Sequence, residues 1–333
     1  MTRKNPRTML GVLLFSLGVV ALASLFIGRF RIGFFSGIAA LISGTDPILR
    51  AVITRVRLPR ILAALCIGAN LGVSGAVFQG IFRNPLVDSR ILGVSSGAAF
   101  GAALALLLSH SPVGVELSAF GFSLLAVGLV ILVGERFGAS ILVLVVTGVL
   151  VSAFFNALLG LIKYVADPLD QLPAITYWLL GGLSGVRLGE LWPLFVITGI
   201  GLSFFLLVRW RLNLLTLDAA EGAALGVAVK RFRLVAIGMG TLLVAASVSV
   251  SGIIGWVGLI VPHAARALVG PDHTHLIPAS ILLGAMTLLL LDDVSRTAIS
   301  TEIPLGILAG LIGVPAFLFL FMRVMRARGG GWR

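Results

Sequence analysis

From Leu234 to Val261 the chain carries no charged residue, and the apolar stretch runs on to Val269. A helix rises about 1.5 Å per residue and a bilayer core is about 30 Å thick, so this stretch is too long for one crossing. Ser251-Gly252, Gly255 and Gly258 offer a break, and two helices are expected there. Further apolar runs at about 9–28, 61–82, 91–109, 117–134, 139–162, 191–208, 276–291 and 303–322 are each long enough, or nearly so, to span. The expected fold class is therefore all-α: a polytopic membrane protein with about ten transmembrane helices, in a single domain covering 1–333.

Composition agrees, since 59% of the residues are hydrophobic and 11% charged, whereas soluble domains run near a quarter charged. The net charge of +12 raises nucleic acid as a partner. The basic residues lie between apolar runs, however, without a continuous patch and interleaved aromatics, so the lipid bilayer is the expected neighbour and nucleic acid is not. Arg3, Lys4 and Arg7 before Met9–Gly28 resemble the start of a secretory signal, but a signal core spans about 7–15 residues. This run is read as an uncleaved first helix. An even number of crossings puts both termini on one side. With that side cytoplasmic, inner segments hold 16 of the 25 Lys and Arg, as the positive-inside rule favours. Six of the others, Arg29, Arg31, Arg50, Arg55, Arg57 and Arg60, crowd into one outer segment.

Chemistry is sparse. No G-x-x-x-x-G-K-[ST] occurs, so the chain is not expected to hydrolyse ATP through a phosphate-binding loop. The four histidines sit in no zinc motif and the single Cys66 has no partner for a disulfide; no metal and no cofactor are expected. Asp272-His273-Thr274-His275 reads as a solvated turn, and Asp292-Asp293 as a helix-end pair near the interface. Gly93, Gly97 and Gly101, and later Gly306, Gly310 and Gly313, read as faces for close helix packing. In segment 209–233, Asp218 can cap a short helix, Ala219 to Leu225, with Glu221 at its third position and Gly226 closing it. So short a helix is unstable alone. It docks either on its own bundle or on a partner. Two rival functions are weighed: a self-sufficient secondary transporter would place ionisable groups mid-helix, and an intramembrane enzyme would need a nucleophile or metal constellation.

Four stretches, "RLPRILAALCIGANLGVSGAVFQGIFRNPLVDSRILGVSSGAAFG", "LNLLTLDAAEGAALGV", "GWVGLIVPHAARALVGPDH" and "EIPLGILAGLIGVPAFLFLF", in this order, resemble the membrane permeases of ABC importers for iron-siderophore, haem and vitamin B12. The resemblance implies a vitamin B12 permease-like fold in the bacterial inner membrane. It also implies a second permease subunit in a homodimer, two ATP-binding cassette ATPase subunits inside, and a periplasmic substrate-binding protein outside. It makes Asp218, Ala219, Glu221, Gly222 and Gly226 the ATPase-coupling element and puts Asn84 and Pro85 in a cytoplasmic loop. Arg57, Arg60 and Arg296 match positions that pair with binding-protein glutamates in the vitamin B12 importer; alternatively Arg57 and Arg60 snorkel to headgroups. The inner gate falls at Ala139, Ser140, Ile141 and Leu142, where only Ser140 keeps the hydroxyl character of the vitamin B12 permease. The expected solute is a metal chelate, passed by alternating access without covalent chemistry.

Overall fold

The computed structural model describes residues 5–30, 32–43, 46–88, 90–109, 111–138, 140–216 and 229–327. Among them every regular element is helical. α1 (Pro6–Ser24) is capped by Asn5. α2 (Phe34–Ser43) and α3 (Pro47–Ala51) follow, and α3 continues through a π turn (Val52–Arg57) into α4 (Leu58–Ile81). Then come α5 (Val94–Leu108), α6 (Pro112–Arg136), α7 (Ile141–Val165), α8 (Gln171–Leu180) and α9 (Trp192–Leu212). The last four are α10 (Val229–Ser251), α11 (Val257–Val269), α12 (His273–Ser295) and α13 (Leu305–Ala327).

Seven helices are long and apolar enough to cross a bilayer, and the shorter apolar α5, α11 and α13 bring the described spans to ten, matching the expected runs. The segment 29–60 departs from the expected polar connection. Asp46 caps α3 by accepting from the N–H groups of Ile48 and Leu49, and the helix then runs unbroken for 35 residues to Ile81. Pro59 ought to break it, since it has no N–H and its ring presses on the preceding turn. The π turn just before it, closed by the Leu58 N–H to the Ile53 carbonyl, widens the helix and takes up the ring.

α4 is the axis of the bundle, 83% buried over its most apolar window against 22% for α7. Its neighbours approach through bare backbone. Gly68 faces Gly284 and Gly72 faces Ser280 of α12, while Gly75 meets Gly258 of α11. The expected glycine faces behave alike: Gly97 and Gly101 lie against the carbonyls of Phe122 and Ser118 on α6, and Gly306 against that of Leu180. The outward faces of α6, α7 and α9 carry Leu117, Leu132, Phe154 and Leu207, all exposed. Residues so apolar belong against lipid or another apolar surface.

Candidate functional site

The expected break at Ser251-Gly252 is real, and its depth gives it meaning. Asn70 donates to Ser247 Oγ, which places the end of α10 roughly 9 Å below Arg60 along α4. Gly75 against Gly258 places the start of α11 roughly 22 Å below it. Residues 252–256 therefore run irregularly through the middle of the hydrocarbon depth, a course tolerated only where the backbone is buried in protein or lines water. Neighbouring helix ends satisfy each other there. The Gly182 N–H donates to Ser251 O and the Leu305 N–H to Gly181 O, both at 2.8 Å. Gly181 and Gly252 have φ of +71° and +66°, and a Cβ on either would strike the carbonyl of Ile253 or Trp178, so both turns require glycine. Trp256 holds φ +69° with a full side chain, strain of the kind concentrated at working sites.

Beside this break lies a cavity of about 540 Å³, lined by Leu86, Asp88, Arg90 and Ile91 of the loop before α5, Ser95, Ser96 and Ala99 of α5, Asn156 and Leu159 of α7, and Leu179 and Ile253. It joins the polar 82–93 loop to the mid-depth break. None of Ser95, Arg90 or Asn156 was singled out as a site by sequence reasoning. The only signal for Asn156 is a carboxamide inside the 139–162 apolar run.

At one end of the bundle Arg57, Arg60 and Arg296 come together, but below the surface rather than on it, at 3%, 5% and 5% exposure. Arg60 holds Asp292 and Glu302, each at 2.8 Å. Arg296 pairs with Asp293 and donates to the Ser24 carbonyl at 2.9 Å, and the Ser24 hydroxyl donates to Asp293 at 2.6 Å. Arg57 donates to the carbonyls of Leu25 and Phe30. Asp292-Asp293 does lie at the end of α12, and both carboxylates are buried there, because arginines from α4 and α12 converge on them. Among the described residues, the exposed arginines of this rim are Arg29, Arg50, Arg55 and Arg187. Arg55 and Arg187 line a cleft of about 290 Å³ with Arg60 and Glu302.

At the other end, the Asn84 carboxamide accepts from the Leu86 N–H at 2.9 Å across Pro85, and both Asn84 and Pro85 are exposed. Gln79 ties this loop down, donating to the carbonyls of Val87 and Leu259 and accepting from Arg266 at 2.6 Å. Asp272 caps α12 and accepts from Asn213 as well; the Thr274 N–H first and the Asn213 amide second hold its carboxyl below the usual range. Ser140 caps α7 through the Val143 N–H at 3.2 Å, with Ile141 half-buried and Leu142 exposed. Ala139 lies outside the described residues, as do Asp218, Ala219, Glu221, Gly222 and Gly226.

Comparison with known proteins gives one consistent result. The FecCD transport family matches residues 16–323. The molybdate import system permease protein of Haemophilus influenzae is 44% identical over 96% of this chain and 97% of its own length. The hemin transport system permease protein of Yersinia pestis is 36% identical over 98% of this chain and 99% of its own. A solved structure, described as the inward-facing conformation of a metal-chelate type ABC transporter, superposes with a TM-score of 0.88 at 42% identity, covering 95% of this chain and 99% of that one.

Proposed function

The chain belongs to the FecCD transport family, and from that premise we propose how this permease of the ABC importer class works. Two copies form a homodimer around a shared pathway in the bacterial inner membrane, with both termini cytoplasmic. Two ATP-binding cassette ATPases sit at the end of the bundle that holds Asn84 and Pro85. A periplasmic binding protein delivers the solute at the Arg60 end. The whole of 1–333 acts as one permease domain, with 209–233 as its cytoplasmic coupling segment. The solute is a metal chelate, moved by alternating access. A molybdate oxyanion is the second reading, favoured by 44% identity across nearly the whole of a molybdate permease.

The observation that carries the reading is the irregular 252–256 segment at mid-depth beside a cavity whose largely apolar wall carries a few polar side chains. A bundle built only for packing would bury a continuous helix there, whereas broken helices around a midplane cavity suit a solute path. Buried Arg57, Arg60 and Arg296 fix the shape of the docking rim, and exposed Arg55 and Arg187 add charge that steers an acidic partner. The gate at Ala139 to Leu142 opens toward the cytoplasm. Uptake of labelled molybdate, haemin and a ferric siderophore into vesicles holding the chain with its ATPase and binding protein tests the solute class. Uptake of haemin or the ferric siderophore supports the chelate reading and uptake of molybdate alone the second one; failure of all three with an intact complex counts against both.

Coupling is assigned to Asp218 through Gly226. Gly222→Trp should abolish uptake and loosen the ATPase while leaving membrane insertion intact, because a large side chain would hold the two surfaces apart. Glu221→Gln keeps a capping box but loses charge, so lost coupling with the ATPase still bound would assign Glu221 an ionic contact. Normal transport by Gly222→Trp would move the coupling element elsewhere.

A further inference from the structure

Four features around the 540 Å³ cavity are left over by the packing of the chain. Ser95, in the first turn of α5, is more than nine-tenths buried and lines the cavity, and its hydroxyl has no hydrogen-bond partner among the described residues. The cap of that helix is Gly93, at φ +82°, which brings no side chain to the first N–H groups. A helix N-terminus left this way carries about half a positive charge. Arg90 lines the same space, with its guanidinium packed against the backbone at Gly255 and its Nε held by Asp88 at 2.6 Å. Asn156, in the middle of α7, is exposed and lines the same cavity. A carboxamide turned to hydrocarbon would give up its hydrogen bonds, so this face is turned away from lipid.

We propose that this cavity is a transient binding site for an oxyanion group of the passing solute. Ser95 and Ser96 hydroxyls, the Asn156 amide, the Arg90 guanidinium and the open α5 N-terminus are all donors or positive ends. Only Asp88 opposes them. By neutralising part of Arg90 it keeps the well shallow, which a conducting site requires, since a deep one would trap the solute. The proposal rests on the reading that the chain passes a solute, and it narrows the class. The group recognised is negatively charged oxygen, borne either by a free tetrahedral oxyanion or by a carboxylate on a chelate.

The test uses the full chain in membranes, with Cys66→Ser and Asn156→Cys, and compares thiol labelling by two methanethiosulfonates of similar size, one ending in a sulfonate and one in a trimethylammonium. With each rate divided by that reagent's rate with a free small thiol, the sulfonate reagent should be favoured several-fold, and Arg90→Gln should bring the two normalised rates together. Molybdate or citrate should slow labelling several-fold: slowing by molybdate alone assigns a free oxyanion, by citrate alone a carboxylate, and by both the shared chemistry. Ser95→Ala removes a hydroxyl that no described group uses, and should weaken that protection even if Arg90→Gln does not assemble. Equal normalised rates in the starting chain, a normalised preference for the cation, or no slowing by either anion would overturn the proposal. Labelling requires neither ATP nor transport, so a failed importer reading would show separately, as absent ATP-driven uptake.

Discussion

Arg60 sits in α4 at the end of the bundle, and both of its acceptors come from the far end of the chain: Asp292 is 232 positions away and Glu302 is 242. Such a pair is not favourable by its Coulomb term alone, because desolvating both charges offsets most of the attraction. Removing one partner is what costs, about 3–5 kcal/mol when the other charge stays buried. Arg60→Met should therefore lower thermal stability in detergent severely, and adding Asp292→Asn should restore part of the loss; equal melting of all variants would show that the pair carries no structural weight. The same burial changes how docking is tested. Reversing Arg57, Arg60 and Arg296 would set glutamates against buried aspartates, so weakened docking there would report misfolding. Reversing Arg55 and Arg187 to glutamate should weaken binding-protein affinity at low salt and leave stability near the starting value. From sequence the cluster of arginines was legible by counting charges, whereas their depth was not. Depth is set by carboxylates far along the chain that no local pattern connects to them.

Among the elements, the glycine faces of α4, α5 and α13 decide how closely helices approach. A Cβ built on Gly75 would run into the Gly258 carbonyl oxygen, whereas one on Gly121 of α6 would meet nothing within 4 Å. Gly75→Ala should destabilise the protein by about 1–3 kcal/mol, the usual range for overpacking. Gly121→Ala should be neutral or gain up to about 1 kcal/mol from helix propensity. Melting of the two variants in detergent checks both, and equal melting would contradict the close approach. The spacing of Gly93, Gly97 and Gly101 was readable because every fourth residue shares a helix face. Gly68, Gly72 and Gly75 carry the same pattern, yet the partners Gly284 and Gly258 emerge only from the packing of α4 on α12 and α11. The helical course of 47–60 was hidden by Pro59, which reads as a helix start until the π turn before it is seen. The cavity was hidden for a related reason: Ser95 and Asn156 are ordinary polar residues in apolar runs until folding brings both to the lining of one cavity.

For the molecule as a whole, ten spans and the break between α10 and α11 were fixed by hydropathy and bilayer thickness. What hydropathy leaves open is the source of energy, since a self-powered transporter would fill the same membrane with similar helices. The buried acids of this chain argue against an ion-coupled cycle because arginines hold them: Asp292 and Asp293 are committed to Arg60 and Arg296 at the end of the bundle, and Asp88, beside the 252–256 break, pairs with Arg90. Ion-coupled carriers are expected to keep near the midplane an acid that is given to the coupling ion rather than to an arginine. The most direct measurement is solute uptake into sealed vesicles containing the chain with and without its ATPase subunit, with ATP or an ion gradient supplied in turn. The account predicts uptake only when both the ATPase and ATP are present, and no ATP hydrolysis by the chain alone. Uptake driven by a proton or sodium gradient, in vesicles holding this chain and nothing else, would contradict it.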